Sequence, residues 1–123
     1  VNKISFALSH PVDLDVLGRE FEGDARISTW TASGKKQEFG EFGQIGIHKA
    51  VGVDALAQHR GISREQMIAF GDAEPDLELI EYVGTGVAMG NGAQVLKDHA
   101  DLVADHIDED GLAKAFRTLG LIG

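Results

Sequence analysis

The 123-residue sequence contains no cysteine. A disulfide framework, a thiolate zinc site and a cysteine nucleophile are therefore all excluded. Positive charge is scarce: 11 lysines and arginines stand against 20 aspartates and glutamates, a net charge of −9. Nonspecific nucleic-acid binding depends on cations that neutralise phosphates, so this balance argues against a nucleic-acid partner. No apolar run approaches the roughly 20 residues that cross a bilayer. The opening Val1-Asn2-Lys3-Ile4-Ser5 has neither the basic segment nor the apolar stretch of a signal peptide. The expectation is a cytoplasmic protein with no membrane partner. With 43% apolar and 25% charged residues, the composition is that of a globular domain. Glycine is the excess, at 16 residues.

Two stretches differ in rhythm. Residues 2–8 alternate, placing Ile4, Phe6 and Leu8 on one side of a half-buried strand. Asp13 is positioned to cap a short helix with Val12, Val16, Leu17 and Phe21 on one face. Residues 25–31 and 36–42 read as two further strands, joined by a hairpin turn at Ala32-Ser33-Gly34-Lys35. From residue 48 the pattern changes. Val53, Leu56 and Ala57 recur at helical spacing and Gly61 stops that helix, after which Ser63 caps a short turn. Met67-Ile68-Ala69-Phe70 is an uninterrupted apolar run, suited to a strand covered on both faces. Leu77, Leu79, Ile80 and Tyr82 suggest a helix beginning near residue 75, and a buried strand at Val87–Met89 and a further helix, strand and helix over 92–98, 101–103 and 110–119 follow. Such alternation predicts βα units around a mostly parallel sheet, an α/β fold. The boundary between the two stretches falls near Gly43–Gly46.

Open parallel sheets hold ligands beyond the carboxyl ends of their strands. Asp72 lies there, in Gly71-Asp72-Ala73-Glu74-Pro75-Asp76. Three carboxylates so close together suit a hard cation such as Mg2+, which takes one or two carboxylates plus substrate phosphate. The plainer alternative is that Asp72, Glu74 and Asp76 only favour the helix start that follows. Lys49 is the second element, at a helix start 23 positions before Asp72. There it is the natural partner of a phosphate, or simply a solvated surface lysine. A cation at a helix start opposes the macrodipole, a local conflict of the kind found at functional sites.

Lys49, the run Ile68-Ala69-Phe70-Gly71-Asp72-Ala73-Glu74-Pro75-Asp76-Leu77-Glu78-Leu79-Ile80, and Gly86-Val87-Ala88-Met89-Gly90-Asn91 together resemble the haloacid dehalogenase (HAD) superfamily. The nearest subgroup is the Cof-type phosphatases. Val95-Leu96-Lys97, Ala100-Asp101-Leu102-Val103 and Asp108-Glu109-Asp110-Gly111-Leu112-Ala113-Lys114-Ala115 continue the pattern. The resemblance covers residues 48–123 strongly and 1–47 weakly. It implies that 46–123 is the C-terminal half of a Rossmann-like core and 1–45 the closing part of an α+β cap. It also implies Mg2+-dependent phosphate-monoester hydrolysis through an aspartyl-phosphate. Asp72 would bind the metal, Asp76 would belong to the metal site by supporting its shell and loop, and Lys49 would neutralise charge at the phosphoryl group. A small phosphorylated metabolite, with sugar phosphates the family-level choice, is the implied substrate.

Two departures bear on this. Pro75 stands where the family usually has asparagine, and so offers neither an amide nor a backbone N–H. The family nucleophile belongs to an Asp-x-Asp motif after the first core strand. The two such sequences here, Asp13-Leu14-Asp15 and Asp108-Glu109-Asp110, read instead as helix caps. The expectation is a fragment of a longer enzyme, inactive alone, which self-associates as a homodimer or associates with the missing N-terminal half. Two other classes compete. A phosphoacceptor signalling domain would place its acidic residues before the lysine, the reverse of the order here. A noncatalytic binding or structural module is favoured by Pro75 and by the lack of a nucleophile. The five histidines show no metal-site spacing. Trp30, Phe39 and Phe42 are expected to pack on the sheet, and Asn91 to serve a turn.

Overall fold

The computed structural model describes residues 3–30 and 38–123. The chain divides into two compact units, Val1–Ile47 and His48–Gly123.

In the first unit, β1 (Lys3–Ala7), α1 (Leu14–Glu20), β2 (Arg26–Trp30) and β3 (Phe39–Gly43) follow in that order. The sheet is antiparallel in the order β1-β3-β2. Asp13 caps α1, its Oδ1 accepting the N–H groups of Asp15 and Val16 at 2.9 and 3.2 Å. Phe42, in register with Ile4 and Ile27, packs on Phe6 and on Phe21 at ring separations of 5.3 and 5.0 Å. Alternation puts Phe39 on the opposite face of β3, where it stacks on Trp30 at 4.2 Å. Glu41 shares that face with Lys3, 2.7 Å away. The turn expected at residues 32–35 lies outside the described residues.

The second unit alternates helix and strand. It opens with α2 (Lys49–Arg60), ended by Gly61 in the left-handed region at φ 66°. A 3-10 turn (Arg64–Gln66) precedes β4 (Ile68–Gly71), and another (Glu74–Asp76) leads directly into α3 (Leu77–Tyr82). Then come β5 (Thr85–Ala88), α4 (Gln94–His99), β6 (Leu102–Val103), a 3-10 turn (Ile107–Glu109) and α5 (Gly111–Thr118). The strands form one parallel sheet in the order β4-β5-β6.

The central strand divides the core. Ala88 faces Ala69, Ile80 and Leu96, from β4, α3 and α4, while Val87 faces Met89, Ala104 and Ala115 on the α5 side. Period-two alternation along β5 thus feeds two apolar layers, and both Val87 and Ala88 are fully buried. Three expectations need adjustment. β4 is paired only with β5 and lies at the sheet edge within the described residues, which leaves Ile68 36% exposed. Leu56 is also exposed, because the inward stripe of α2 runs through Ala50 and Ala57. Asp110 does stand at the N-cap of α5, but in a left-handed conformation (φ 58°) and without a side-chain cap bond.

Candidate active site

Lys49 is the first residue of α2, Asp72 follows β4, and Asp76 closes the turn that starts α3. All three border one cavity of about 340 Å3 beyond the carboxyl ends of β4 and β5. Asn91 also lines it, and Phe70, Met89, Ile107 and Leu112 form its apolar side.

Asp76 is the organising group. It is 5% exposed and is the buried charged residue of the core. One oxygen pairs with the Lys49 ammonium. The other accepts the backbone N–H of Asp72 at 3.1 Å and of Ala73 at 3.3 Å. Burial works to raise the Asp76 carboxyl, but the Lys49 ammonium and the two N–H groups outweigh it and hold the acid below the ordinary carboxylate range. Gly71 makes room for this arrangement. A Cβ there would lie 2.6 Å from Asp76 Cβ and 3.0 Å from Leu96 Cδ2.

Pro75 sits in the first turn of the segment Glu74–Asp76, where a missing N–H breaks no helical bond. The fold therefore accommodates proline at this position, as expected.

The loops around Asp72 are stitched by main-chain bonds. Met89 N–H donates to Gly71 O at 2.9 Å and Ala93 N–H to Asp72 O at 2.8 Å. Asp72 is thus held by its backbone, while its exposed carboxylate makes no hydrogen bond or ion pair among the described residues.

Sequence reasoning treated Asn91 as a turn residue. It does serve the loops, its Oδ1 accepting Ile107 N–H at 3.1 Å, but it also faces the cavity. Lys97 Nζ donates to Gly90 O at 2.6 Å, tying the same loop to α4. Lys97 belongs to the Val95-Leu96-Lys97 motif of the resemblance, but local pattern does not indicate its bond to Gly90. Asp13, from the first Asp-x-Asp, is occupied in capping α1.

Among the described residues, no group of three or more histidines or carboxylates could by itself enclose a metal ion. The donor chemistry nevertheless suits one. Asp72 offers free hard oxygens at the cavity, and Mg2+ commonly uses only one or two carboxylates, completing its shell with phosphate and water. Asp76 has its oxygens committed to Lys49 and to the backbone of the Asp72 loop, and so offers no free carboxylate. A second groove, of about 330 Å3, is lined by Ile107, Leu112, Ala113, Phe116 and Ile122 with Asp110. It lacks the paired charges of the first.

Residues 1–116 match the family described as haloacid dehalogenase-like hydrolase. The 5-amino-6-(5-phospho-D-ribitylamino)uracil phosphatase YitU of Bacillus subtilis is 45% identical over 69 residues, which are 56% of this chain and 26% of that protein. A phosphatase of the HAD enzyme superfamily from Bacteroides thetaiotaomicron superposes with a TM-score of 0.80 at 25% identity, over 98% of this chain and 42% of that one. A structure described as a HAD subclass IIB sugar phosphatase matches with a TM-score of 0.69 at 34% identity, over 80% of this chain and 36% of that one. The chain thus spans less than half the length of each of these relatives.

Proposed function

The chain belongs to the haloacid dehalogenase-like hydrolases, and on that premise we propose that it forms part of a Mg2+-dependent phosphatase acting on a small phosphorylated metabolite such as a sugar phosphate. The observation that carries this reading is the convergence of Lys49, Asp72 and the buried Asp76 on one cavity at the strand ends.

In this reading residues 46–123 belong to the catalytic core and 1–45 to its cap. The nucleophilic carboxylate lies outside these 123 residues. It would attack phosphorus, release the alcohol and form an acyl phosphate, which water then hydrolyses to inorganic phosphate. Bound Mg2+, held in part by Asp72, would offset charge on the phosphoryl oxygens. Lys49 places a second positive charge at the cavity, where a carboxylate and a phosphate dianion would otherwise repel. Asp76 fixes that ammonium and the Asp72 loop at once. Phe70 and Met89 contribute to the apolar side of the cavity.

The test is phosphate release from a panel of sugar phosphates by the protein that carries this chain, with Mg2+ and with EDTA. Turnover that needs the metal is expected. Ligand binding without turnover would favour the noncatalytic module that Pro75 suggests.

A further inference from the structure

The lysine at the start of α2 is only as well placed as the helix that carries it, and the apolar anchoring of α2 is slight. Its buried residues are Ala50 and Ala57 alone. Alanines permit close approach but have little shape with which to fix how one helix lies on another. The principal neighbour of α2 is α3.

Asp54 lies on the same stripe as the two alanines, four residues after Ala50 and three before Ala57. Helical periodicity calls for an apolar residue there. Each of its carboxylate oxygens instead accepts a hydrogen bond. The Tyr82 hydroxyl, from the last residue of α3, donates to Oδ1, and Gln58 Nε2 donates to Oδ2 at 2.6 Å. The Arg64 guanidinium lies 4.1 Å from the centre of the Tyr82 ring, and Gly84 N–H donates to Arg64 O at 2.7 Å. The tyrosine is therefore fixed on its ring face as well as at its hydroxyl.

Two polar rungs thus join the helices in the same order along both of them. Lys49 meets Asp76 just before α3 begins, and Asp54 meets Tyr82 where α3 ends. A single contact leaves α2 free to pivot about it, whereas two fix its direction.

We propose that Asp54 and Tyr82 are positioning residues for Lys49: their hydrogen bond sets α2 against α3 and so holds the lysine ammonium at Asp76 and the cavity. The catalytic importance of this rests on the phosphatase reading above, but the geometric claim does not.

The test reads the lysine directly. The lysines of this protein are 13C-dimethylated, and the Lys49 resonance is assigned by its loss in Lys49→Arg. Its position in Asp76→Asn marks the unpaired state. In Tyr82→Phe, which keeps the ring beneath Arg64, the Lys49 resonance is expected to move more than half-way to that position, while those of Lys97 and Lys114 stay where they are. Asp54→Asn retains an acceptor for the hydroxyl and is expected to move it in the same direction by less. An unmoved Lys49 resonance in Tyr82→Phe, or a common shift of all three lysines, overturns the proposal. Should Tyr82→Phe fail to fold, Asp54→Asn decides: a displaced Lys49 resonance supports the proposal and an unmoved one overturns it. Because the readout is a resonance and not turnover, a failure of the phosphatase reading would leave this result interpretable.

Discussion

Lys49 and Asp76, 27 positions apart, form an ion pair whose partners differ sharply in exposure: the lysine side chain is 57% exposed and the aspartate 7%. The pair is asymmetric in consequence as well. Lys49 borders the cavity and stays accessible while paired. Asp76 cannot leave, since its second oxygen holds the backbone of Asp72 and Ala73. The aspartate is the buried anchor and the lysine the accessible charge.

The lowered pKa of Asp76 links this pair to acid stability. A carboxyl that ionises more readily when folded contributes stability above its unfolded value, ~3.9, and loses it as pH falls through its lower folded value. Denaturant unfolding between pH 7 and pH 3 should show the native chain more stable than Lys49→Met near neutrality, with that advantage shrinking as pH falls through about 4, because the native chain has the steeper acid limb. Parallel acid limbs in the two proteins would show that the pair does not set the Asp76 ionisation.

Gly71→Ala tests the packing beneath the site. The added Cβ would meet Asp76 Cβ at 2.6 Å and Leu96 Cδ2 at 3.0 Å, and an overpacked core costs about 1–3 kcal/mol. Thermal unfolding should show that loss, together with release of the Asp72 N–H to faster hydrogen exchange. Native-like stability would mean that the loop yields easily.

Much of this arrangement was legible in the sequence. The apolar run at 67–70 and the abrupt Gly71-Asp72 announced a buried strand with a polar residue at its end, and Gly61 ended α2 as expected. The exposure of Ile68 was not legible, because a local pattern does not say whether a strand is central or at an edge. Nor was the Asp54–Tyr82 bond, which joins residues 28 apart. Its one local trace was an aspartate on the same helical stripe as Ala50 and Ala57. The Asp-x-Asp at residues 13–15 shares the spelling of the nucleophile motif but follows no apolar strand end, and its first aspartate caps α1.

Lys49→Ala should lower kcat/KM on a phosphate monoester by about 100-fold in the protein that carries this chain, the scale of one lost electrostatic contact. Lys49→Arg should rescue it only partly, since a planar guanidinium cannot replace a compact ammonium in a site shaped by Asp76. Steady-state kinetics decide this, and an unchanged alanine variant would remove Lys49 from the reaction.

On the proposed reading, in which Asp72 holds the metal and the nucleophile lies outside these 123 residues, the isolated chain should not hydrolyse p-nitrophenyl phosphate. Among the described residues β4 also presents an unpaired edge with Ile68, and Ile107 and Ile122 are 51% and 45% exposed. Such edges and apolar patches favour association, so sizing should give a dimer or larger species. A monomeric chain with Mg2+-dependent turnover would require a nucleophile within these residues.

The most direct test of the central claim is the Mg2+ dependence of turnover in Asp72→Asn, made in the protein that carries this chain. Asp72 is the free carboxylate at the cavity, so kcat is predicted to fall at least about 100-fold, with saturation by the metal weakened. Normal kcat with unchanged magnesium dependence would contradict the account.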